Sequence, residues 1–144
     1  MDNELKVFSI EEANQLIPVL RELIHQLKEK QDQAVHVEAQ IDALEIVGGT
    51  DNPKSKKEVD SLVKKHQDIV TDFYEIIDKI QSFGCLLKDL EMGLVDFYSV
   101  MDGKVVYLCW KLDEHKINHW HEIGKGFMYR QPLDVRPGDF HIED

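Results

Sequence analysis

From Ile10 onward, apolar residues recur in steps of three and four: Ile10, Ala13, Ile17, Leu20, Ile24 and Leu27, then, past the polar Gln31, Ala34, Val37, Ile41 and Leu44. That spacing is one face of an α-helix. Ser9 stands at its start with Glu12 three residues on, the spacing of a capping box, so a helix is predicted over residues 9–46. Pro18 lies inside it and has no N–H for the Asn14 carbonyl, which predicts a kink. VGGTDNPKS, residues 47–55, joins a glycine pair to Asn-Pro and reads as a connector. Val59, Leu62, His66, Ile69, Phe73, Ile76, Ile80 and Phe83 then hold the same alternation, predicting a second helix over residues 54–83. Two long helices with a short connector are expected to fold back as an antiparallel hairpin with a coiled-coil seam. His66 is the one polar seam position, level with His36 and Val37, and reads as a partly exposed histidine without a role.

After Gly84 the texture changes to short runs, CLLKD, LVDFYS and KVVYLCW, rich in β-branched, aromatic or leucine residues. They predict a small antiparallel sheet of two or three strands within residues 84–111, with Asp102-Gly103 as a hairpin turn. In the third run Val105, Tyr107 and Cys109 point one way and Val106, Leu108 and Trp110 the other, as in a central strand. Asp113 is then read as the cap of a short helix over residues 113–123, stopped by Gly124 and Gly126, with residues 134–144 as a tail. The expected fold is α+β and mainly α, a single domain over residues 1–144. A helical hairpin, its first helix kinked at Pro18, precedes a small antiparallel sheet and a short C-terminal helix.

Composition narrows the setting. The 144 residues carry 28 acidic against 17 basic side chains, a net charge of −11 that disfavours nucleic acid and anionic membranes as partners. No segment has the form of a signal peptide or a membrane span, which leads to the expectation of a cytoplasmic protein. Cys85 and Cys109, with apolar neighbours and no CxxC spacing, read as reduced core residues.

The candidate chemistry gathers in INHWHEIGKGFMYRQPL, residues 117–133. On a helix the two histidines of HWH would point roughly 200° apart and could not share one ion. His115, His119 and Glu122 would gather on one face, a cluster chemically able to bind a transition metal but read as solvated surface, while Ile117 and Trp120 would form the buried stripe with His121 on its flank. A buried-margin histidine needs a polar partner, and Asp96 and Glu91 are the candidates. Arg130, one of three arginines among 17 basic residues, points to a planar bidentate partner, either a protein carboxylate or an anionic ligand.

KDLEMGLVDF (residues 88–97), VYLCWKL, WHEIGKGFMYRQPL and the early FSIEEANQLIPVL together resemble the small bacterial family catalogued as domain of unknown function 2203. The resemblance spans nearly the whole chain and implies a bacterial cytosolic protein without implying a reaction. It directs attention to Gly126 and to Asp96, Cys109, Trp110, Glu114, Trp120, His121 and Arg130, the last seven as a ligand-binding set. Three functional classes follow. The first is a structural or interaction protein whose hairpin forms a homodimer, favoured by Leu16, Leu23 and Leu44 beside the main seam. The second is a module for a small anionic ligand near His121 and Arg130. The third is a metal-dependent enzyme in which His121 and a carboxylate, Asp96 or Glu91, hold a divalent metal.

Overall fold

A computed structural model of the chain describes residues 6–48 and 52–139. Two α-helices, α1 (Ile10–Val47) and α2 (Pro53–Ser82), precede five antiparallel strands, so the fold is α+β and mainly helical. The strands are β1 (Leu86–Asp89), β2 (Leu94–Met101), β3 (Lys104–Lys111), β4 (His119–Glu122) and β5 (Gln131–Pro132), side by side in chain order. Short 3-10 turns lie at Phe127–Tyr129 and Pro137–Asp139. The capping box at the start of α1 is formed: Ser9 Oγ accepts from the Glu12 N–H at 3.0 Å and Glu12 Oε1 accepts from the Ser9 N–H at 2.9 Å. Asn52 Oδ1 takes the Lys54 N–H at 2.8 Å ahead of α2, whose first residue is Pro53. Within the expected connector, residues 49–51 lie outside the described residues. Among the described residues, no helix is long and apolar enough to cross a membrane.

The described residues group into two compact units, one of His25–Lys79 and the other of the chain up to Ile24 and from Ile80 onward. In the first, Leu27, Val37, Val59 and Ile69 are buried. Lys30 Nζ lies 3.3 Å from Asp72 Oδ2, and His66 Nε2 lies 2.8 Å from Glu38 Oε2. The seam histidine thus has a partner, a carboxylate of the opposite helical segment.

The second unit is organised by the β2–β3 hairpin. Asp102 (φ 53°) and Gly103 (φ 80°) both take the left-handed conformation of a two-residue turn that matches strand twist. In the resulting register, Val95, Phe97, Ser99 and Met101 share a face with Val106, Leu108, Trp110 and Trp120, and all eight are buried. Phe8 joins them, its ring edge-on to Phe97 at 5.2 Å, with its N–H bonded to the Tyr98 carbonyl at 2.7 Å. Arg21 crosses to donate to the Leu112 carbonyl at 2.6 Å and lies over the Trp110 ring.

The short helix expected over residues 113–123 is not there: His119–Glu122 is strand β4, paired with β3 through Tyr107↔His121 and Cys109↔His119. Local signals lost to tertiary partners. The open edge of β3 needs a neighbour, and the groups a helix would use internally are taken elsewhere. The Ile117 N–H donates to Asn14 Oδ1 at 2.9 Å, and the Asn118 carbonyl accepts from Leu133 at 3.0 Å. The sheet therefore extends beyond residues 84–111 to Pro132. Nor are residues 134–139 a loose tail. The Val135 carbonyl accepts from Trp120 Nε1 at 2.7 Å, and Arg136 bonds both Asp102 oxygens at 2.8 and 3.1 Å, while residues 140–144 lie outside the described residues.

Candidate functional site

Because strand side chains alternate, the sheet face opposite the apolar one carries Lys88, Asp96, Tyr98, Tyr107, Cys109, Lys111, His119 and His121. Asp96 pairs with Cys109 across β2 and β3, and β4 brings His121 beside Tyr107. The two histidines of HWH, set apart by a helical reading, share this face.

The inner group is Asp96, Cys109 and His121, all buried, with one ligand-type atom from each lying within 4.8 Å of the others. His121 Nδ1 is 3.1 Å from the Glu122 carbonyl oxygen, and Nε2 faces both Asp96 oxygens at 3.2 and 3.3 Å. Burial alone would lower the His121 pKa. The hydrogen bond and charge of Asp96, aided by the Glu122 carbonyl, outweigh it and raise the value above 6.5. Lys88 Nζ lies 3.5 Å from Asp96 and over the Tyr107 ring at 4.6 Å. Tyr107 donates its hydroxyl to Tyr98 at 3.2 Å, and burial with that bond pushes its pKa up to about 12. Burial, then the Asp96 charge, raises the Cys109 pKa, so its thiol is protonated at neutral pH. The imidazole faces Asp96 with Nε2 and a carbonyl with Nδ1, so no Cys–His nucleophile pair is set up here.

Beside it lies a second group. Arg130, its side chain only 9% exposed, donates through Nη2 to Glu114 Oε2 and His119 Nδ1, each at 2.5 Å. Glu114 is itself held: Oε1 accepts from the Lys111 N–H at 2.9 Å, and its carbonyl accepts from Trp110 Nε1 at 2.9 Å. Burial first, and the Arg130 charge second, depress the His119 pKa, leaving Nδ1 free to accept from the guanidinium. Arg130 and Lys111 both lie over the Phe127 ring, at 4.9 and 5.4 Å. The Arg130 Nε is buried with no hydrogen-bond partner among the described residues.

The family model for the uncharacterised conserved proteins grouped as domain of unknown function 2203 matches residues 6–133. The chain belongs to this family. The match includes every residue of both polar groups. No curated protein and no solved structure matches the chain, so the site of this domain of unknown function 2203 member has to be read from its own geometry.

The structure brings Asp96, Cys109 and His121 into one group, and Glu114 and Arg130 into the neighbouring one. Trp110 and Trp120 lie on the apolar face, with indole N–H bonds to the Glu114 and Val135 carbonyls. Glu91 is exposed in the turn between β1 and β2, outside the group around His121. Lys88, Tyr98 and Lys111 escaped the sequence reading, which set Tyr107 on the Cys109 face without a role and grouped His119 with His115 and Glu122 instead. Treating HWHE as a strand would have found His119, because alternation sets His119 and His121 against Trp120 and Glu122. A groove of about 780 Å³ lined by Asn14, Pro18, Arg21 and His115 contains none of these residues.

Proposed function

We propose that this protein is a binding module for a small anion, a carboxylate or phosphate, taken up on the polar sheet face beside His121 and Arg130. The observation that carries the reading is Arg130 Nε, a buried donor left without an acceptor while the same guanidinium is held rigidly by Glu114 and His119. Such a group costs about 1–3 kcal/mol, and a charged oxygen supplies the bond. Lys88, Lys111 and Arg130 are each paired with a carboxylate, Asp96, Asp113 and Glu114, so among the described residues the unmet need on this face is the one Arg130 N–H rather than a surplus of charge. The test is a thermal-shift and calorimetric screen of inorganic phosphate and simple mono- and dicarboxylates, against chloride at equal ionic strength. A ligand at about 100 times its Kd adds roughly 2.7 kcal/mol to the native state. Wild type should respond and Arg130→Lys should not. If no anion moves the wild-type transition, or Arg130→Lys responds equally, the reading fails.

A second reading concerns the helices. We read His25–Lys79 as an antiparallel coiled-coil hairpin that joins two copies of a cytosolic chain, with α1 bent at Pro18. The ion pairs Lys30–Asp72 and Glu38–His66 support the antiparallel register, since each pair of residue numbers has nearly the same sum. Val35, Tyr74, Ile46 and Val47 are 60, 60, 83 and 86% exposed, more apolar surface than a solitary hairpin explains. Sedimentation over a concentration series decides it: a dimer is expected, and a monomer throughout overturns it.

A further inference from the structure

We infer that Asp96, Cys109 and His121 form a site for one thiophilic divalent transition ion, zinc or its like, with a coordination position left open. The three side chains supply carboxylate, thiol and imidazole, a donor set that suits zinc, cobalt or iron and does not suit calcium or magnesium. They come from three adjacent strands, so a hydrogen-bonded frame fixes their spacing.

The hydrogen bonds of the His121 ring point to the same ion independently. With Nδ1 against the Glu122 carbonyl, the proton of a neutral ring belongs on Nδ1, and Nε2 carries the lone pair. That lone pair faces the two Asp96 oxygens at 3.2 and 3.3 Å, which are acceptors too. Two electron-rich edges in buried contact need a positive species between them, either a proton or a metal ion. A tetrahedral ion with bonds of about 2.0–2.2 Å holds nitrogen and oxygen ligands roughly 3.3 Å apart, the separation already present. A carbonyl accepting the far N–H is also the usual way a metal-bound histidine is oriented.

Cys109 becomes a thiolate only when the ion displaces its proton, so binding releases one proton from sulfur and a second wherever His121 is charged. Asp96 and the thiolate then neutralise the dication. Lys88, whose side chain is 40% exposed, is free to withdraw to solvent as the ion takes its place at Asp96. Three protein ligands leave a fourth position for water or an incoming group, the arrangement of zinc sites that do chemistry rather than those that only hold a fold. The inference needs neither Arg130 nor Glu114 and so stands apart from the anion reading.

The experiment is titration of chelator-stripped, untagged protein with cobalt(II), then zinc, in chloride buffer near neutral pH. One equivalent of cobalt should give a thiolate-to-metal charge-transfer band and the intense visible absorption of a tetrahedral site, and zinc should abolish both. Cys109→Ser should lose the band and Cys85→Ser should keep it. Should Cys109→Ser fail to fold, Asp96→Asn with at least a tenfold weaker cobalt affinity, and calorimetric release of one to two protons on wild type, carry the same test. A folded wild type that shows no band with excess cobalt, or a band that follows Cys85, overturns the inference. Cobalt binding without any anion response removes the anion reading alone, and the reverse removes this one.

Discussion

His121 carries the clearest consequence at the residue scale. Its folded pKa lies above the ordinary 6.5 because Asp96 and the Glu122 carbonyl outweigh burial. The metal-free protein is therefore stabilised by the charged ring below about 6.5, and this contribution is lost as pH rises through the folded value. Around the ring in that range Tyr107 and Cys109 are pushed too high to titrate, and Lys88 lies beside Asp96. His119, with its pKa depressed, acts on the acid side and loses stability as pH falls. Denaturant unfolding of metal-free wild type should thus weaken relative to His121→Asn as pH rises above 6.5. Parallel curves for the two proteins would show that the Asp96 contact does not stabilise the ring's charge.

At the scale of elements, the polar face depends on two turns keeping β2 in register. Gly93 sits at φ 64° before β2, and a Cβ there would lie 2.5 Å from Leu112 Cβ, an atom fixed to backbone. Gly93→Ala should cost more than the roughly 1–2 kcal/mol of left-handed strain alone and shift Asp96 against Cys109. Circular dichroism melts, and the cobalt spectrum of the same variant, read both effects. In the helical unit, Ile69→Ala should cost about 2–5 kcal/mol, since Ile69 is buried, while exposed Gln67→Ala should cost under about 0.5. Equal losses at both positions would contradict the assigned face of α2.

For the whole molecule, the net charge of −11 opposes association of two copies, while the exposed Val35, Ile46, Val47 and Tyr74 favour it. Salt screens the first term and leaves the second, since the Debye length falls from about 10 Å at 0.1 M to about 3 Å at 1 M. Dimerisation through the helical unit should therefore tighten as salt rises. Sedimentation at low and high salt measures this, and dissociation by salt would point instead to a polar interface.

The sequence by itself determined what depends on near neighbours in the chain. The Ser9–Glu12 box, the long three-four periodicities and the Asp102-Gly103 turn are local, and each is visible in a window of a few residues. The alternation in β3 was legible for the same reason, since its apolar half is a strict period of two. Residues 113–123 were not, because a capping aspartate, a short apolar spacing and terminal glycines describe a helix as well as a strand. Which one forms was decided by the open edge of β3 and by Asn14, roughly a hundred positions earlier in the chain. With that choice came the site: only when HWHE is a strand do His119 and His121 face Cys109 and Asp96, and only then does Arg130 meet Glu114 and His119. Pattern along a chain records which face each residue prefers, and the partners that make a polar face chemically useful come from segments whose distance in sequence hides them.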